Sequence, residues 1–200
     1  TTANDNVGVG HEALKNATTG GQNVAIGRDA LFESTTGTKN VAVGYATLDA
    51  NTTASNNTGV GYKALSGNTT GEFNVGIGTF ALPNSTTAES NIAIGYLAMN
   101  NCTTGGNNVC IGKNAGDGIT TGSENIFIGK GVADGGSFST GSNNIIIGVD
   151  QNPSLGDQSN ELKLGNGSTS VFRCNVQTIS TLSDARDKTD IVDIPDGLDF

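Results

Sequence analysis

The chain has no tryptophan and only one methionine, one histidine, three prolines and three cysteines in 200 residues. Aromatic residues make up 5%, and charged residues 14% against about 25% in an average domain. The first shortage argues against an enzyme-type core built on large side chains. The second argues against disorder, because disordered segments are highly charged and this chain is 34% hydrophobic. No apolar run approaches the roughly 18 residues of a membrane helix, and no segment reads as a signal peptide. Export by another route, or release as part of a particle, is therefore expected, without membrane insertion. Ten basic residues stand against 19 acidic ones, a net charge of −9. Six of the acids and two of the bases fall in 183–200, so that segment carries −4 and the rest −5. No basic stripe exists for nucleic acid, and an anionic membrane would be repelled. Cys102, Cys110 and Cys174 lack metal-ligand spacing and His11 is alone, so plain thiols, no metal and no cofactor are expected.

Glycine, by contrast, is abundant: 30 of 200 residues, about twice its usual share of roughly 7%. The glycines follow a period of seventeen. Asn6-Val7-Gly8-Val9-Gly10 returns at Asn23–Gly27, Asn40–Gly44, Asn57–Gly61, Asn74–Gly78, Asn91–Gly95, Asn108–Gly112 and Asn125–Gly129, always at that interval. After an insertion of two comes Asn144–Gly148, and a degenerate copy ends at Gly165. The repeat glycines are thus Gly10, Gly27, Gly44, Gly61, Gly78, Gly95, Gly112, Gly129, Gly148 and Gly165. Each reads as a positive-φ turn or a close backbone approach.

Within a coil, Asn-Val-x-Ile-Gly alternates with period two, so Val24 and Ile26 share one face of a short strand. Ala and Leu follow, as in Ala30-Leu31 and Ala64-Leu65, then paired hydroxyls such as Thr35-Thr36 and Thr69-Thr70. A repeat this short leaves no room for a crossover helix. The expected unit is a coil of two short strands and two turns that buries its apolar face only by stacking. The fold class is therefore all-β, a parallel β-solenoid or β-roll of about ten coils spanning 1–170. At a strand spacing of about 4.8 Å this makes a rod of roughly 50 Å. The Asn opening each strand suits a stacked amide ladder, or a solvent-facing turn residue.

The residue between the two aliphatics runs Gly8, Ala25, Ala42, Gly59, Gly76, Ala93, Cys110, Phe127, Ile146. No large polar residue occurs there, so this face too is expected to be packed. The simplest candidate is another copy of the chain around a three-fold axis. Gly8-Val9-Gly10-His11-Glu12-Ala13 fits a dinucleotide fingerprint, but it recurs on the period of the repeat with no helix to carry it and is set aside. The Thr pairs read as turn formers rather than an ice-binding array. Gly135–Thr140 and Gln151–Asp157 depart from the repeat and are candidate partner contacts.

These coils resemble the head repeats of trimeric autotransporter adhesins, left-handed parallel β-rolls packed as trimers, and the Gly/Thr/Asn-rich coils of bacteriophage tail fibres. Further on, Ser183-Asp184-Ala185-Arg186-Asp187-Lys188-Thr189-Asp190-Ile191 resembles the opening of the peptidase S74 intramolecular chaperone domain, with Asp187 where an apolar residue is common. That resemblance implies a homotrimeric fibre shaft, a connector at 171–182 and the start of a chaperone at 183–200. It further implies self-cleavage of the Leu182–Ser183 bond, with Ser183 as nucleophile and Lys188 as general base. A Lys can serve so once burial lowers its pKa. The implied protein is a virion tail fibre, extracellular and structural, that attaches to a host. Its partners would be two further copies, other virion tail proteins and a host-surface receptor, for instance a polysaccharide. A bacterial surface adhesin and an ice-binding solenoid are the alternatives.

Overall fold

A computed structural model describes residues 3–135, 138–154 and 156–169. The chain divides into two units, Thr1–Gly167 and Ser168–Phe200. The expected connector (171–182), the chaperone motif, Leu182, Ser183, Lys188 and Cys174 all lie outside the described residues.

The first unit is all-β, with no helix among the described residues. Ten three-residue strands follow in order: β1 (Val7–Val9), β2 (Val24–Ile26), β3 (Val41–Val43), β4 (Thr58–Val60), β5 (Val75–Ile77), β6 (Ile92–Ile94), β7 (Val109–Ile111), β8 (Ile126–Ile128), β9 (Ile145–Ile147) and β10 (Leu162–Leu164). They form one parallel sheet in chain order. Register is set by the repeat: Val7 faces Val24, Val24 faces Val41, and Ile126 faces Ile145 across the two-residue insertion. This is the expected parallel β-solenoid.

Each coil holds one strand, not two. The Ala–Leu stretch is excluded from strand geometry because alternate residues are left-handed, as in Glu12 (φ 59°) and Leu14 (φ 55°) or Lys63 (φ 52°) and Leu65 (φ 54°). It still stacks by main-chain bonds: the N–H groups of Leu14 and Leu65 donate to the carbonyls of Ala30 and Ala81 at 3.1 and 2.9 Å.

The small-residue row does not meet another copy of the chain. Ala25, Ala42, Ala93, Cys110, Phe127 and Ile146 are fully buried inside their own solenoid, among Leu31, Leu48, Leu65, Leu82 and Met99. A Cβ added to Gly76 would lie 2.9 Å from Leu65 Cγ. The interior is one side chain deep, so Leu reaching from the turn wall leaves room only for Gly or Ala on the strand wall. Where the turn wall shrinks to Gly116 and Ala133, the strand wall grows to Cys110 and Phe127, and Phe127 meets Phe138 edge-on at 5.5 Å between ring centroids. Volume is conserved across the core, as dense packing requires.

The Asn side chains form the stacked ladder, and they are buried. Asn40 Oδ1 accepts from the Asn57 N–H at 3.0 Å, while Asn40 Nδ2 donates to the Ala54 carbonyl at 2.8 Å. The same pair recurs at Asn74, toward the Asn91 N–H at 3.0 Å and the Ala88 carbonyl at 2.8 Å.

The strand-ending glycines satisfy both readings of them. Gly61 and Gly78 have φ of 130°, and a Cβ on either would lie 2.6 Å from the carbonyl oxygen of the glycine one coil on. Gly148 is different: it is not left-handed, and a Cβ there would lie 3.2 Å from both the Gln151 Cγ and the Gly165 carbonyl oxygen, a milder approach than the 2.6 Å at Gly61. Two glycines identical in the repeat therefore differ in tolerance. Gly61→Ala is expected to cost on the order of 2 kcal/mol or more, by strain and by wedging two coils apart. Gly148→Ala should cost less, about 1 kcal/mol or below. Denaturant titration of both variants checks this, and equal losses would contradict it.

Candidate assembly face

Since the middle residue of each strand points inward, its two neighbours point out. Nineteen of these twenty outward positions are Val, Ile or Leu, and the twentieth is Thr58. The more open members range from 36% exposed at Ile111 to 66% at Leu162, with Val7, Val9, Ile26, Ile77, Ile145 and Ile147 between. Two parallel aliphatic rows thus run the length of the sheet, one from Val7 to Leu162 and one from Val9 to Leu164. The alternation is legible in the sequence, but which face lies inside is not. The signal that decides it is the size exchange between the Leu14–Ala133 row and the Gly8–Phe127 row, which marks those two rows as partners across one core.

Beside the second row, the residues after most of the repeat glycines (His11, Arg28, Tyr45, Tyr62, Tyr96, Lys113 and Lys130), with Phe80 next to Thr79, form an aromatic and basic border. Tyr45 stacks on Tyr62 at 5.3 Å with rings 10° apart, and Tyr62 meets Phe80 edge-on at 5.2 Å. Arg28 lies 5.8 Å from the Tyr45 ring and Lys113 5.9 Å from that of Tyr96.

The Thr pairs act as turn formers. Thr18, Thr35, Thr52 and Thr69 each donate a hydroxyl to the carbonyl one coil on, at 2.9 to 3.1 Å. The second member of each pair, such as Thr36, Thr53 and Thr70, is exposed.

The two segments that depart from the repeat meet one another. Asp157 Oδ1 accepts from the main-chain N–H groups of Ser139 and Thr140 at 2.6 and 2.7 Å, replacing the carbonyl that the next Thr would supply. These bonds hold its carboxyl below the usual range.

Other chemistry-bearing groups are spread out. His11, Glu12 and Asp29 place ligand atoms within 4.8 Å of one another. Only the fold brings residue 29 beside residues 11 and 12, so spacing in the sequence hides the group. Its carboxylates are already engaged, Glu12 with Lys15 at 2.7 Å and Asp29 with Arg28 at 3.3 Å. A groove of about 470 Å³ is lined by Glu12, Arg28, Asp29, Glu33, Asp49 and Lys63 among others. Burial raises the Asp49 carboxyl there, and its Oδ1 has no partner among the described residues. Cys102 and Cys110 are buried free thiols; burial pushes Cys102 up to about 11 and Cys110 well up too, so neither ionises at neutral pH.

The Asp157 contact carries a pH dependence with a definite sign. A carboxyl lowered in the fold gives stability that is present above its unfolded pKa of about 3.9 and lost as pH falls through the folded value. Below about pH 4 the protection factors of the Ser139 and Thr140 amides are expected to fall, toward those that Asp157→Ala already shows at pH 7. Hydrogen exchange read by NMR checks both; unchanged protection in Asp157→Ala would overturn it.

No family model matches the chain, and searches of the curated proteins and of the solved structures find no match either.

Proposed function

We propose that the chain is a structural segment of a phage-type tail fibre, a homotrimeric shaft that projects a host-binding tip. The supporting observation is the aliphatic double row. Twenty side chains, many between a third and two thirds exposed, amount to on the order of 1,000 Å² of apolar surface, against the few hundred that a monomer ordinarily presents. A stable interface needs about 800 Å² per partner, so one face of this size suits burial against copies of itself. Rows that run along the sheet in chain order suit a three-fold axis along the solenoid, where each copy offers the same face to the other two. Recognition of the host belongs to surfaces elsewhere, such as the aromatic and basic border.

Light scattering tests the reading. One chain weighs 20.2 kDa, and Ser183→Ala, which keeps the chain whole, is expected at three times that value. Ile77→Asp is expected to give single chains with unchanged circular dichroism. Ile77 points outward, so a charge there opposes assembly and not the protomer's own core. A monomer in the unsubstituted chain would defeat the proposal.

The self-cleavage part rests on the Ser183–Ile191 motif alone. In that reading Lys188 takes the Ser183 proton as the hydroxyl oxygen attacks the Leu182 carbonyl. The Leu182–Ser183 C–N bond breaks as Lys188 passes that proton to the leaving Ser183 nitrogen, and water then hydrolyses the resulting Leu182 ester on Ser183 Oγ. Intact-mass spectrometry of the assembled protein should find a fragment ending at Leu182, absent from Ser183→Ala. Persistence of that fragment in Ser183→Ala would refute the assignment.

A further inference from the structure

The aliphatic double row has one polar member, and its place is informative. Thr58 opens β4 between Val41 and Val75 in the register of the sheet. It points outward and is partly buried by its neighbours, while the glycine beside it, Gly59, points into the core. Its hydroxyl makes no hydrogen bond among the described residues, although Thr18, Thr35, Thr52 and Thr69 all spend theirs on a carbonyl. Thr and Val have nearly the same shape. Valine at this position would serve the protomer equally well, so the hydroxyl has no work within one chain.

We infer that Thr58 sets the register of the homotrimer; this rests on the trimeric reading above. Val and Ile differ by one methylene, so rows built of them distinguish one coil from the next only weakly, and two chains could slide past each other by one repeat at small cost. Thr58 breaks that degeneracy. With three chains level, the three Thr58 residues share one height, where their hydroxyls bond to one another or to one trapped water. With one chain displaced by a coil, its hydroxyl is buried against Val41 or Val75 of a neighbour, and a buried hydroxyl without a partner is costly. A single polar residue in an apolar seam fixes register and copy number in coiled coils by the same means, at some loss of stability. The size exchanges in the core cannot substitute for it. The Cys110–Gly116 and Phe127–Ala133 exchanges are buried within their own chain and are not felt by a neighbour.

Disulfide mapping reads the register directly. Val43 and Val60 lie one coil apart in the same outward row. Chains carrying Val43→Cys and Val60→Cys, one of them mass-tagged, are refolded together, oxidised and mapped by peptide mass spectrometry. With Thr58 present, inter-chain bonds are expected to join like to like, 43 to 43 and 60 to 60. With Thr58→Val in both chains, the molar mass should stay that of a trimer while the mixed 43-to-60 bond rises at least several-fold. Like-to-like bonding that is unchanged by Thr58→Val would overturn the role of Thr58 and leave the trimer standing. Mixed bonding already prominent with Thr58 in place would do the same. Single chains without inter-chain bonds in both backgrounds would remove the trimeric reading itself, and this inference with it.

Discussion

The amide ladder is the interaction on which the rest of this structure depends. Each ladder Asn does two jobs at once. Its carbonyl oxygen receives the N–H that opens the next strand, and its amide nitrogen holds the carbonyl of the turn that leads into that strand, as Asn40 does for Asn57 and Ala54. One side chain therefore fixes both where a strand starts and how far the preceding turn can wander. Asn23, Asn40, Asn57, Asn74, Asn91, Asn108, Asn125 and Asn144 are at most 1% exposed. Removing one would orphan a donor and an acceptor in a dry interior, each costing about 1–3 kcal/mol. A Val or Ile row offers no such reference point, because aliphatic contacts lack direction. The ladder makes the spacing of the repeat a geometric requirement, and it holds across the two-residue insertion before Asn144, whose N–H still reaches Asn125 Oδ1 at 3.0 Å.

With the ladder in place, backbone strain becomes bearable. Twenty-five non-glycine residues among those described have positive φ, including Leu14, Leu31, Leu48, Leu65 and Leu82 at 50–55°. A left-handed conformation costs an L-residue roughly 1–2 kcal/mol, so a lone coil would be unstable by several kcal/mol from its backbone alone. Stacking offsets this because each strained Leu gains a main-chain bond to its neighbour coil, as Leu31 does with the Thr47 carbonyl at 3.1 Å, and buries its side chain besides. The coil is thus a poor structure and the stack a good one. Folding must be correspondingly cooperative, with an expensive first coil and favourable addition afterwards. Nothing in the sequence announces this strain, since Leu, Lys and Phe are not residues expected in left-handed turns. Propensity describes the isolated chain, and here tertiary bonding overrides it.

How much is legible follows from the same division. The strands, their parallel order, their register and the ladder are readable because each is a property of the period, and a period too short for a helix leaves few solutions. The inside and outside of the sheet are not readable from alternation, which distinguishes two faces without naming either. Hydrophobicity points the wrong way: the larger aliphatics lie outside and the glycines and alanines inside, because Leu from the opposite wall has already filled a core one side chain thick. The small row thus suggests a contact between chains, whereas it is the chain's own core and the Val and Ile rows are the surface left open. The single-strand coil escapes for a related reason. Ala–Leu looks like half of a strand pattern, but alternating left-handed residues turn the backbone where a strand would run straight.

A solenoid of near-identical coils also has to stop, and the chemistry of its tenth coil shows how. In the Asn ladder Glu161 stands where an Asn should be: its main-chain N–H still reaches Asn144 Oδ1 at 2.9 Å, but its side chain turns instead to Ser154. In the core row Lys163 follows Ile146, and its ammonium leaves the core position to bond the Asn152 carbonyl at 2.7 Å. The Thr ladder closes on the Asp157 carboxylate, which accepts two N–H groups in place of the carbonyl of a further coil. Three rows that elsewhere extend without limit all terminate here in charged side chains. A repeat stack requires such polar ends, because an open end exposes strand edges and core to any chain of the same kind. The outward aliphatic rows alone are not terminated: Leu162 and Leu164 carry them through the last coil at 66% and 45% exposure. The sequence closes the solenoid at its tenth coil while keeping the aliphatic face open along its whole length, so growth by further stacking is opposed and sideways association is not.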